Sequence, residues 1–167
     1  MSYRPPVDVG RYVESVRERV QLAGFRQETP PKGAILKARR REAKLTRFGI
    51  VETVVVISDV YSQPSPDQFR AFGSDSVRSA LEGKSRIPRG LGSSLVVYPV
   101  VIGDGISDEL IGFVRSYVPK HWAIVEFPVA LDLRSSSLVL LQTRPFWGAA
   151  YYSKTRRDAY DLLAPAT

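Results

Sequence analysis

Cysteine is absent from the chain, and histidine occurs once in 167 residues, at His121. The first absence excludes disulfides, a thiol nucleophile and any cysteine-based zinc site. The second excludes a multi-histidine metal site and leaves only His121 for a Ser-His-Asp triad. No apolar run approaches the roughly 20 residues needed to cross a bilayer, so no membrane partner is expected. The first residues, Met1-Ser2-Tyr3-Arg4-Pro5-Pro6, lack the apolar stretch of a secretory signal, so a cytoplasmic location is expected. No Pro/Gly/Ser-rich linker separates two apolar clusters, so residues 1–167 are read as one domain. What is there is ordinary for a folded globule: 44% hydrophobic and 25% charged residues, which exclude disorder and a coiled coil.

The charge is unevenly placed. A formal net charge of +7 arises from 24 Lys+Arg against 17 Asp+Glu. Residues 1–50 hold 12 basic and 5 acidic groups and account for all of it, the neutral remainder being 51–167. Six of those cations fall in the stretch Lys37-Ala38-Arg39-Arg40-Arg41-Glu42-Ala43-Lys44-Leu45-Thr46-Arg47, against one acid. Such a run raises a positive potential that suits phosphate, because each neutralised phosphate releases counterions. A solvated basic turn or a dock for an acidic protein surface explains the same composition.

Periodicity yields an order α-β-β-α-β-α-β-β-α. Val9, Tyr12, Val13, Val16 and Val20 recur at helical spacing, with Asp8 as N-cap and Gly24 as stop. Gln27 to Gly33, with Pro30-Pro31, reads as a connector, and Ala34 to Leu45 as extended chain. Ile50 to Ile57 is almost wholly β-branched, the mark of a strand covered on both faces. Ser65-Pro66-Asp67-Gln68 is a capping box opening a second helix, which Gly73 could divide. Leu95–Ile102 and Trp122–Leu133 read as strands, Ser107–Tyr117 as a helix, and Leu138–Thr143 as the return arm of a hairpin. Pro99 and Pro128, in the matching pieces Tyr98-Pro99-Val100 and Phe127-Pro128-Val129, point to edges, bulges or strand ends. A last helix spans Gly148–Leu163, with Tyr152, Thr155, Ala159 and Leu162 on one face and Lys154, Arg156 and Arg157 on or near the other. The expected fold is α/β (or α+β), a mixed sheet of about four or five strands flanked by helices.

Five constellations bear on chemistry. Asp59 and Asp104 both end a buried strand before a helix, and with Glu126 and Asp132 they could hold a divalent cation if they converge. Acids at such turns otherwise cap the backbone. Glu42-Ala43-Lys44 has the Glu-x-Lys spacing of metal-dependent nucleases but lies in a polar stretch. The loop Lys84 to Ser94 carries Lys84, Arg86 and Arg89 among glycines and serines, without a P-loop or G-x-G-x-x-G pattern. His121 stands at a strand start with no nucleophile beside it in sequence. Arg144 to Arg157 interleaves Phe146, Trp147, Tyr151 and Tyr152 with cations, a pattern that suits base stacking, a protein interface or core packing alike.

The leading functional expectation is non-catalytic binding of nucleic acid, DNA or RNA, or of another polyanion, through phosphates and with little base specificity. The contacts are assigned to Lys37, Arg39, Arg40, Arg41, Lys44, Arg47, Arg156 and Arg157, with Arg144 and Lys154 as auxiliaries. No metal, cofactor or catalytic residue is assigned. The alternatives are a protein-interaction module for an acidic partner, with self-association open, and a metal-dependent phosphodiesterase.

Overall fold

A computed structural model describes residues 6–44, 49–83, 93–121, 124–144 and 149–165. The elements follow as α1 (Val9–Leu22), β1 (Arg26–Glu28), β2 (Ala34–Lys44), β3 (Gly49–Tyr61), α2 (Pro66–Glu82), β4 (Ser93–Gly103), α3 (Asp108–Ser116), β5 (Ile124–Glu126), β6 (Val129–Asp132), β7 (Ser137–Leu140) and α4 (Ala149–Leu163). The architecture is α/β around one mixed sheet of seven strands, more than the four or five expected. Two local features account for the difference. Arg26–Glu28, of which Gln27 and Glu28 read as the start of a connector, pairs antiparallel with Lys37–Arg39. The expected long strand at 122–133 is two short ones, β5 and β6, on either side of Phe127-Pro128.

The sheet order is β1-β2-β3-β4-β6-β7, with β5 also on β4. β3, β4, β5 and β6 run parallel, whereas β1–β2, β2–β3 and β6–β7 are antiparallel. Register puts the two prolines side by side. Val97 pairs with Glu126 and Val100 with Val129, which sets Pro99 beside Pro128 in the gap between the two ladders. The ladder to β3 continues through Val56 and Pro99, so the interruption falls on one side only. Tyr98 and Phe127 pack edge to face there, with centroids 5.8 Å apart. A proline can thus occupy a central strand because the missing donor coincides with a break in its neighbour.

Each face of the sheet has its own core. α1 and α4 bring Tyr12, Val16, Val20, Tyr152 and Leu163 onto Val55, Ile57, Tyr98 and Val100. α2 and α3 bring Phe69, Phe72, Leu110 and Val114 onto Val54, Val56, Val97 and Val101. Coverage on both faces explains the unbroken β-branched run of β3. The helix starts follow their capping chemistry. Asp8 accepts from Arg11 N at 2.8 Å, Ser65 and Gln68 form the reciprocal box, and Ser107 accepts from Leu110 N. α2 continues through Gly73, which faces inward where a Cβ would overlap the Glu126 carboxylate. Among the described residues no helix is long and apolar enough to cross a membrane.

Candidate nucleic-acid interface

Strand alternation divides the basic run between two helices. Lys37, Arg39 and Arg41 point to the α2 face, and each reaches a carbonyl at that helix's C-terminal end. Lys37 Nζ donates to Ser79 O at 3.0 Å, Arg39 Nη2 to Ala80 O at 2.8 Å and Arg41 Nη2 to Gly83 O at 2.7 Å. α2 has no basic residue in its own last turn, so β2 supplies the cations that its terminal carbonyls favour. Gly83 permits the approach, since a Cβ there would fall 2.7 Å from Arg39 Nη2. Carboxylates complete the cluster. Arg39 Nε meets Glu28 Oε1 at 2.6 Å and Nη1 meets Glu52 Oε2 at 2.7 Å, while Lys37 meets Glu28 at 3.0 Å. Burial alone would raise the Glu28 carboxyl, but the bonds from Arg39 and Lys37 outweigh it and hold it below its ordinary range.

On the opposite face Arg40 serves α1 in the same way. Its Nη1 donates to Ala23 O, the C-cap carbonyl, at 3.1 Å, and its guanidinium lies 4.7 Å from the Phe25 ring centre. Lys37 and Arg39 are therefore buried and spend their donors inside the protein, out of reach of a phosphate backbone. Arg40 is half-buried and paired with Glu42, and Arg41 keeps half its side chain exposed. Lys44 ends β2, but its side chain, Arg47, the loop cations Lys84, Arg86 and Arg89, and the aromatics Phe146 and Trp147 lie outside the described residues.

The acids divide into three places. Asp59 and Asp104 do come to neighbouring strand ends, where Asp104 N donates to Tyr61 O. The Asp104 carboxylate is held by Arg134 at 3.1 Å, which keeps it below its usual range. Asp132 accepts from Arg134 N and Ser135 Oγ and so shapes the β6–β7 turn. Glu126 pairs with Val97, whereas Gly103, at the end of β4, pairs with Asp132, so Glu126 lies about 20 Å down the sheet. Glu42 of the Glu-x-Lys match is bonded to Arg40 at 3.3 Å. Among the described residues no three His, Asp or Glu side chains form a group that could hold a metal ion.

His121 finds its partner five residues on. Its Nε2 lies 2.8 Å from Glu126 Oε2, with the Glu126 side chain 2% exposed and Oε1 without a partner among the described residues. Burial pushes the Glu126 carboxyl above its ordinary value of 4.5, and the His121 bond offsets this only in part. In that state the native protein holds a proton that the unfolded chain has released, so stability falls as pH rises from 4.5 through the raised value. Glu126→Gln is expected to flatten this decline, so that its melting-temperature advantage over wild type grows across the same window. Thermal melts over a pH series measure it.

A cleft with unengaged cations lies on the other edge of the sheet. It has a volume of about 470 Å³ and runs beside the edge strand β7, between the end of α3 and the outer face of α4. Arg115, Arg144, Arg156 and Arg157 all line it, with Gln142, Ser153, Tyr152 and Tyr160. The Arg115 carbonyl accepts from Gln142 N at 2.8 Å and Thr143 N at 3.0 Å, which brings Arg144 to the same mouth. Ser153, Arg156, Arg157 and Tyr160 form one stripe of α4 at helical spacing. That helix is fixed from behind by hydroxyls: Tyr12 donates to Leu163 O at 2.9 Å and Tyr98 to Thr155 O at 3.1 Å. Tyr152 donates to Leu141 O and accepts from Arg156 Nη1 at 3.2 Å, orienting that guanidinium. Arg115, Arg144 and Arg157 make no side-chain hydrogen bond or ion pair among the described residues. Lys154 is turned elsewhere, with Asp158 at 3.9 Å.

The sequence reading thus included Arg144, Arg156 and Arg157 but missed Arg115. Nothing local marks that residue, a lone cation in the last turn of a short helix. No protein-family model, curated protein or solved structure matches the chain.

Proposed function

We propose that the protein binds nucleic acid without catalysis, through phosphate contacts made by Arg115, Arg144, Arg156 and Arg157. The observation that carries this reading is that four arginines line one cleft, three of them with side chains uncommitted to any described side chain or backbone group. Guanidiniums bind phosphate oxygens in pairs of parallel hydrogen bonds, and Arg156 is oriented in advance by Tyr152. A groove lined by cations favours a polyanion over a flat apolar docking face, which sets the acidic-protein alternative second. Of the N-terminal cations, Lys37, Arg39 and Arg40 bond helix-end carbonyls, so the phosphate contacts are assigned to the cleft and the N-terminal charge to the long-range field.

The test compares two charge-matched variants by fluorescence anisotropy with a labelled oligonucleotide. Arg156→Gln/Arg157→Gln is expected to weaken binding about tenfold or more at low salt, each lost phosphate contact being worth roughly 1 kcal/mol. Arg26→Gln/Lys32→Gln removes two exposed cations from the N-terminal half and is expected to have a much smaller effect. Equal loss in both would show that only net charge matters and would defeat the assignment to the cleft.

A further inference from the structure

We infer that the cleft takes single-stranded nucleic acid, with Tyr160 as the platform on which a base stacks; this rests on the phosphate-binding reading above. Tyr160 is 59% exposed and is the one exposed large aromatic among the described residues. Tyr12, Tyr98 and Tyr152, by contrast, are buried and hydrogen-bonded. Tyr160 stands one turn beyond Arg156 and Arg157 on the same stripe of α4, so ring and guanidiniums share one wall of the cleft. That juxtaposition matches the two needs of an unpaired strand, a flat apolar face for the base and cations for its backbone.

A trough of about 470 Å³ is on the scale of small-ligand pockets and has room for a splayed nucleotide. Gln142 and Ser153 line the same space and offer hydrogen bonds to base edges. Stacking tolerates any base, because every base has a π-face, so weak sequence preference follows.

The experiment measures binding of labelled oligo(dT), of a duplex of the same length and of inorganic polyphosphate, to wild type, Tyr160→Ala and Tyr160→Phe. The exposed position leaves folding intact, which thermal melts verify. Tyr160→Ala is expected to lose about tenfold for oligo(dT), the worth of one stacked base, while polyphosphate binding is unchanged. Tyr160→Phe keeps the wild-type affinity, and the duplex binds more weakly than the single strand. If oligo(dT) and polyphosphate both bind but Tyr160→Ala alters neither, the stacking inference fails and the phosphate reading stands. If neither probe binds wild type, the phosphate reading itself falls. Competition by poly-glutamate as strong as that by oligo(dT) would overturn both in favour of an acidic protein partner.

Discussion

Replacing Arg39 with Met is expected to destabilise the protein by about 3–5 kcal/mol, the largest single-residue effect in the basic run. The side chain is 4% exposed, and it joins Glu28 at 2.6 Å, Glu52 at 2.7 Å and the Ala80 carbonyl at 2.8 Å. Methionine fills most of the volume, so the loss comes from charge and not from a cavity. Glu52 is fully buried and would lose its nearest guanidinium, keeping Arg41 Nε at 3.3 Å as the more distant cation. The last turn of α2 would lose a donor at the same time. In a thermal melt this corresponds to a drop of about 10 °C for a chain of this size. Arg41→Met, at a side chain 50% exposed, should cost no more than about 1 kcal/mol. Adding Glu52→Leu to Arg39→Met should recover much of the loss, because a buried pair replaced by apolar groups is often neutral. A double variant as unstable as the single one would mean that carbonyl capping, not the ion pair, dominates.

This cluster also shows why burial within the basic run is not legible in the sequence. Six cations within 37–47 read as surface, since charged residues are seldom buried without partners. For Lys37, Arg39 and Arg41 the partners are there but remote. Glu28 and Glu52 sit on the flanking strands β1 and β3, and the carbonyls of Ser79, Ala80 and Gly83 belong to a helix some forty residues on. No local pattern announces them, and strand periodicity alone cannot tell which face of β2 meets a helix end. Where the determinant was local, the sequence was sufficient. Asp8 and the Ser65–Gln68 box start their helices as read, and Tyr152, Thr155, Ala159 and Leu162 form the buried face of α4. The matching Tyr-Pro-Val and Phe-Pro-Val pieces lay in plain view, but only strand register reveals that their prolines share one break in the sheet. The cleft was half legible for the same reason. Arg156 and Arg157 follow from helical spacing, whereas Arg115 joins them only through backbone bonds from Gln142 and Thr143.

The salt dependence of binding is expected to be steep, and it counts the contacts. Four arginines each neutralising one phosphate of a single strand give a slope of log affinity against log salt of about −2.8. A fourfold rise in salt then lowers affinity about fiftyfold. Arg156→Gln/Arg157→Gln should halve the slope to about −1.4, so that the same rise in salt costs only about sevenfold. Arg115→Gln/Arg144→Gln should do the same, which tests whether the opposite wall of the cleft engages the same strand. Tyr160→Ala acts differently, because stacking releases no counterions: it shifts the line downward at every salt concentration and leaves its slope unchanged. Charge and stacking are thus separable in one titration series. A slope near zero in wild type would rule out phosphate contacts altogether, and a slope that the cleft variants leave untouched would move the binding surface elsewhere on the protein.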